Sequence, residues 1–370
     1  MNSMTEISDN KKTIEKQPTA GSIFLKATLL SLLFVLIMLF ITALGVVGFG
    51  YSKLNSFAKK ADTSIGELRT LVSTGLEKTP DQTDNYKTIL LLGLDSVANK
   101  PGSPQLTDTM LLISINMTNG KVNTLSLPRD LWSTAYITRI NALYEYGKDK
   151  YPNRPEQFPE EVIEKLTGID INHTLTLSLE NVAEVIDIIG GIEVEVLEGF
   201  VDDQFPRDDV DIFKASQDEL YETVSFNDGL QHMDGQTTLK YIRSRKSSNL
   251  EQGTDVARSI RQQQVISALV SKIVNFSIIK DTNKLAELYL LYGNEFENQF
   301  SKIEAISTLN YLLPYKDNLK INSHTLSIYP DDQNGVITNP PLYKYNSQWV
   351  YEIIDNQRFE SEVKQLLQEK

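Results

Sequence analysis

The chain has 370 residues and carries 36 Lys+Arg against 49 Asp+Glu, a net charge of −13. That balance excludes a general nucleic-acid binder, because phosphate backbones are held by clustered cations. The absence of cysteine excludes a disulfide framework, a thiolate nucleophile and Cys-ligated metal, while 41% hydrophobic residues supply a sizeable core without such staples.

Residues 1–22 are polar and read as a cytoplasmic tail. The run Ala27–Gly50 is uncharged and rich in Leu, Phe, Ile and Val, so 23–50 reads as a membrane-spanning helix. At about 1.5 Å per residue it can cross a hydrocarbon layer of about 30 Å. A buried core helix normally keeps a polar stripe, and the apolar region of a cleaved signal peptide is usually shorter. Lys11, Lys12, Lys16 and Lys26 precede the run, and Lys53, Lys59 and Lys60 follow it. This bias favours a single pass with the N-terminus cytoplasmic and the remainder extracytoplasmic. Residues 51–87 read as a stalk with helical spacing and a linker, TPDQTDNYK.

A folded unit is expected over 88–275. Thr88–Leu94, Thr109–Asn116 and Lys121–Leu127 are short β-rich runs, the first two almost continuously apolar, as in strands covered on both faces. Asn119-Gly120 suits a tight turn between the second and third. Helical patterns follow at Pro159–Leu166 and Leu179–Ile189, the latter ended by Gly190-Gly191, and Ile192–Val196 alternates like a strand. Segment 200–228 reads as an acidic loop and Gly235–Arg243 as a helix. Gly253-Thr254-Asp255 reads as the cap of a long helix reaching about Asn275. The fold class is therefore α/β, a mixed sheet sandwiched by helices. Residues 276–370 read as an accessory region, either a packed tail or a small second unit.

Three signals carry chemistry. Lys240, Arg243, Arg245, Lys246, Arg258 and Arg261 face only Glu251 and Asp255, a local excess of positive charge in an acidic chain. Arg258 and Arg261 share a helix face with Gln262 beside them, and converging arginines suit a pyrophosphate through bidentate bonds. A solvated basic face is the competing reading. Asp95 ends the first strand and Asp108 precedes the second, a pair of hard ligands suited to Mg²⁺ near a phosphate, or ordinary turn and cap chemistry. Third, Ser126-Leu127-Pro128-Arg129-Asp130 delivers an arginine at a strand end. The segment Arg139–Tyr144 adds polar groups that can equally start a helix. His173, His232 and His324 show no HExxH spacing, and neither a G-x-S-x-G elbow nor a P-loop occurs.

Taken in order, ILLLGLDS, TDTMLLISIN, LSLPRDLW, RINALYEYG, LENVAEVIDIIGGIEVEV, GLQHMDGQTTLKYIRSR and TDVARSIRQQQVI resemble the LytR–CpsA–Psr family. The resemblance covers about 88–275 and implies an α/β core with an apolar cleft for a polyprenyl tail. It implies that Asp95 and Asp108 hold Mg²⁺ or Mn²⁺. It also implies that Arg129, Arg243, Arg245, Arg258 and Gln262 grip the pyrophosphate, with Asp255 beside them and Arg261 in the same motif. Of these, Arg129, Arg243, Arg245 and Asp255 are the expected catalytic set. Many relatives carry arginines where this chain has Val97 and Leu106. The implied activity is transfer of a glycopolymer phosphate from a polyprenyl-pyrophosphate carrier to a peptidoglycan hydroxyl. The alternatives are a polyprenyl-pyrophosphate hydrolase and a non-catalytic surface module.

Overall fold

The computed structural model describes residues 51–95, 104–207, 210, 216–244, 246–247, 252–253, 257, 261, 264–265, 268, 272, 281–315 and 321–368. The expected membrane span lies outside them. Among the described residues, no helix is long and apolar enough to cross a membrane.

The centre is a five-stranded mixed sheet. β1 (Tyr86–Asp95), β2 (Leu106–Asn116), β3 (Val122–Ser126), β6 (His173–Ser178) and β11 (Ile321–Thr325) lie in the order β11-β3-β2-β1-β6. The β1/β2 and β2/β3 pairs are antiparallel, and β1/β6 and β3/β11 are parallel. The continuous apolar run of β1 has the expected cause. Ile89 and Leu91 point into one core while Leu90 and Leu92 point into the other. Gly120, at φ 74°, turns the chain between β2 and β3, as the Asn-Gly pair predicts.

One core lies beneath α5 (Leu179–Ile189), α6 (Gly235–Arg243) and α7 (Thr282–Glu295), with β7 (Ile192–Val196) among them. α5 starts at a capping box of Ser178 with Asn181 and stops at left-handed Gly190, φ 83°. The other core holds α3 (Leu143–Lys150), α4 (Gln157–Thr167) and α9 (Asn356–Gln368).

Residues 200–228 are not the loop expected from their acidity. They include an antiparallel pair of β8 (Phe200–Pro206) and β9 (Tyr221–Phe226), with Phe200, Phe205, Val224, Phe226 and also Asp202 buried. Of the long helix expected after Gly253, Ala257, Arg261, Gln264, Val265, Ala268 and Lys272 are helical, while Thr254, Asp255 and the others fall outside the described residues.

The first two helices of the described chain pack on two helices that precede β11. α1 (Tyr51–Lys60) packs on α7, and α2 (Ile65–Glu77), within the expected stalk, packs on α8 (Lys302–Leu312). A Cβ added at Gly75 would lie 2.6 Å from Ile306 Cβ, so only glycine permits this approach. Below the contact, buried Glu304 of α8 is bonded by buried Lys87 of β1, by Lys78 Nζ at 2.5 Å and by the Asp81 amide at 2.8 Å. Asp81, His173 and Glu304 present ligand atoms within 4.8 Å of one another, but the two lysines already neutralise Glu304. The cluster ties α2 and α8 to the sheet. Burial alone would raise the Glu304 carboxyl. The nearby His173 ring and the ion-paired Lys78 and Lys87 outweigh it and hold the group well below the usual carboxylate range.

Candidate functional site

The end of β1, the start of β2 and the end of β3 lie at one edge of the sheet, the location where α/β folds place ligands. Asp95 pairs there with Leu106; Gly93 pairs with Thr109 and Leu94 with Thr107. Asp108 is thereby skipped. It is the extra residue of a β-bulge within β2 rather than a residue preceding the strand, a device that re-aims a side chain and recurs beside active sites. Gly93 makes room for it, since a Cβ there would sit 2.8 Å from Thr109 Cβ.

Beyond β3 the chain turns tightly, with the Leu131 amide donating to the Pro128 carbonyl at 2.9 Å. This turn presents Arg129, whose Nη1 bonds the carboxylate of Asp108. The next residue, Asp130, accepts from Arg139 Nη1 at 2.8 Å and lies 3.8 Å from Arg129 Nε. Arg129 and Asp108 retain 31% and 19% side-chain exposure, so the pair is set into the surface yet reachable by a solute. Arg139 belongs to β5 (Thr138–Arg139), which pairs with β4 (Trp132–Ser133). The Asn141 amide then donates to the Arg129 carbonyl at 3.2 Å, and Thr107 Oγ1 donates to the Asn141 carbonyl at 3.2 Å. The C-terminal region supports the same turn: the Tyr351 amide donates to the Asp130 carbonyl at 2.9 Å, and the Trp132 amide to the Tyr351 carbonyl at 2.8 Å.

The basic segment divides in two. Arg243 ends α6 half-buried, with its guanidinium 5.5 Å from the centre of the Phe205 ring. Arg261, expected among the pyrophosphate ligands, has another role. It is buried over the Phe200 ring, and its guanidinium bonds the carbonyls of Tyr241 at 2.9 Å, Gln252 at 3.0 Å and Ser244. It clamps the C-terminal end of α6 and the strand of chain beyond it. Burial pushes its guanidinium pKa down. The side chains of Asp95, Arg245, Asp255, Arg258 and Gln262 lie outside the described residues. His232 is on β10 (Gly229–Met233), exposed and 2.7 Å from Glu193. Asp130 and Asn141 were not singled out by sequence reasoning; their signal was adjacency to Arg129 and the polar letters of Arg139–Tyr144.

A family model described as LytR_cpsA_psr matches residues 49–356. TagV of Bacillus subtilis, named a polyisoprenyl-teichoic acid–peptidoglycan teichoic acid transferase, is 28% identical over 261 residues, covering 68% of this chain and 61% of TagV. TagU of Oceanobacillus iheyensis, which carries the same description, is 27% identical over 228 residues, 60% of this chain and 62% of TagU. The chain thus spans about three-fifths of the length of these relatives. The crystal structure of B. subtilis TagV aligns with a TM-score of 0.46 at 19% identity, over 77% of this chain and 97% of that one.

Proposed function

Since the chain belongs to the LytR_cpsA_psr family, we propose that it is a phosphotransferase that moves a glycopolymer phosphate from a polyprenyl-pyrophosphate carrier to a sugar hydroxyl of peptidoglycan. The relatives named above are described as polyisoprenyl-teichoic acid–peptidoglycan teichoic acid transferases, which supports this substrate class. One geometric observation carries the reading: a bulge and a proline turn bring Asp108 and Arg129, 21 positions apart, into a partly open ion pair at the sheet edge.

In the proposed reaction the acceptor hydroxyl oxygen attacks the glycan-side phosphorus. The bond from that phosphorus to the bridging oxygen breaks, polyprenyl phosphate leaves, and the hydroxyl proton is released. Arg129 and Arg243, with Arg245, Arg258 and Gln262, grip the pyrophosphate and neutralise charge that grows on its oxygens. Asp255 orients the arginines of its helix.

The carboxylates of Asp95 and Asp108 offer the hard oxygen donors that Mg²⁺ or Mn²⁺ prefers, and the paired positions of Asp95 and Leu106 keep their backbones adjacent. When bound, the ion would screen the phosphate charge. Asp108 is also bonded by Arg129, so acid and guanidinium stand side by side where the phosphate charge would lie. The segment 23–50 anchors the domain at the outer face of the membrane, where the lipid carrier's headgroup can reach it.

The test is polymer transfer by purified protein from a polyprenyl-pyrophosphate-linked glycan to peptidoglycan. Arg129→Ala, and Arg243→Ala combined with Arg245→Ala, should each reduce transfer by about 10²–10³-fold. Full transfer by the double variant would refute the site. Release of polymer without transfer would make water the acceptor and the protein a hydrolase.

A further inference from the structure

Unpaired polar atoms gather at the bulge. Among the described residues, Arg129 Nε and both Oδ1 and Nδ2 of Asn141 are buried without a hydrogen-bond partner. Asn141 is fully buried and its backbone is held on both sides, its amide donating to the Arg129 carbonyl and its carbonyl accepting from Thr107 Oγ1. Its carboxamide thus occupies a site where an apolar side chain of the same size would pack without loss, since buried donors and acceptors are normally satisfied. The orphans are complementary. Arg129 Nε–H is a donor without an acceptor, and Asn141 Oδ1 is an acceptor without a donor, on backbone segments that are themselves hydrogen-bonded.

We infer that Asn141 is a positioning residue for Arg129. When the guanidinium swings from Asp108 to a pyrophosphate, Asn141 Oδ1 accepts its Nε–H. The two Nη groups are left to the phosphate oxygens, and Asn141 Nδ2 donates to the carboxylate that Arg129 has vacated. Asn141 thus offers the guanidinium an acceptor on a held backbone. This role rests on the phosphotransferase reading of the Asp108–Arg129 pair.

The experiment measures binding of inorganic pyrophosphate, in MgCl₂, to the full chain in detergent by titration calorimetry, together with thermal melting. The proteins are the parent, Asn141→Leu, Arg129→Ala and the double variant. Asn141→Leu should lose about tenfold in affinity, roughly the contribution of one hydrogen bond to a charged group. It should nevertheless melt at or about 2 °C above the parent, because two orphan atoms are gone. In the Arg129→Ala background the same change should cost no further affinity. A Leu variant that binds like the parent, melts lower, fails to fold, or adds its loss to that of Arg129→Ala overturns the inference. If Arg129→Ala itself binds pyrophosphate as tightly as the parent, the phosphotransferase site is wrong and the inference falls with it.

Discussion

Glu304→Gln tests whether α2 and α8 are bolted to the sheet by charge. The substitution keeps the shape of the side chain and removes the anion that faces Lys87, which has no exposure, and Lys78, which has 34%. Removing one member of a buried pair costs about 3–5 kcal/mol, because the other charge stays desolvated and uncompensated. For a protein of this size that is a fall in Tm of roughly 10 °C. The exposed Lys78 contact adds little. Lys87→Met with Glu304→Leu should recover most of the loss, since a buried pair replaced by apolar groups of similar volume is close to neutral. Acidity supplies a second signature. The folded carboxyl titrates below its ordinary value of 4.5, so its stabilisation is fully present above that pH and disappears as pH falls through the lower, folded pKa. Urea titrations of parent and variant between pH 7 and pH 3 should therefore converge towards the acid end. A single variant within 1 kcal/mol of the parent at pH 7, or a gap that does not narrow with acid, would refute the reasoning.

Other substitutions separate binding from structure. Arg129→Lys keeps the charge but not the planar fork, so transfer should fall by about tenfold or more with an unchanged melting curve. Arg261→Met should lower stability by about 3 kcal/mol in urea titrations, since it strips donors from the carbonyls of Tyr241, Ser244 and Gln252. Gly75→Ala discriminates by sign. In a free stalk helix it would stabilise by about 1 kcal/mol through propensity. Against Ile306, 2.6 Å from the new Cβ, overpacking of about 1–3 kcal/mol should prevail and the protein should melt lower.

The sheet's centre was legible because a strand covered on both faces needs apolar side chains at every position, and Thr88–Leu94 has them nearly throughout. α5 and β7 were legible from a helical apolar pattern, a terminal glycine pair and strict alternation. The hairpin of β8 and β9 was hidden because an acid, Asp202, is buried within β8 and the irregular register between Asp202 and Phe205 breaks the period of two. β11 was hidden for another reason: INSHT is polar, and it joins the sheet beside β3 through backbone pairing that composition does not announce. At the site, Arg129 and Asp108 were readable as charges at strand ends, but the bulge that unites them depends on a register between two strands. The role of Arg261 was unreadable because an arginine bonding carbonyls and one bonding phosphate look the same in one dimension.

The place of β11 has a consequence for how the protein comes into being. The last strand of the sheet is supplied by residues 321–325, and it pairs with a strand made two hundred positions earlier. While the chain is being synthesised, β3 waits with one row of amides and carbonyls unfilled, a template open to any extended segment that arrives first. Its rightful partner is polar and brief, so the competition is settled by α9, which follows it and packs on β3. Shortening the chain before residue 321 would leave that row open permanently, and such a fragment should self-associate rather than remain a smaller version of the whole.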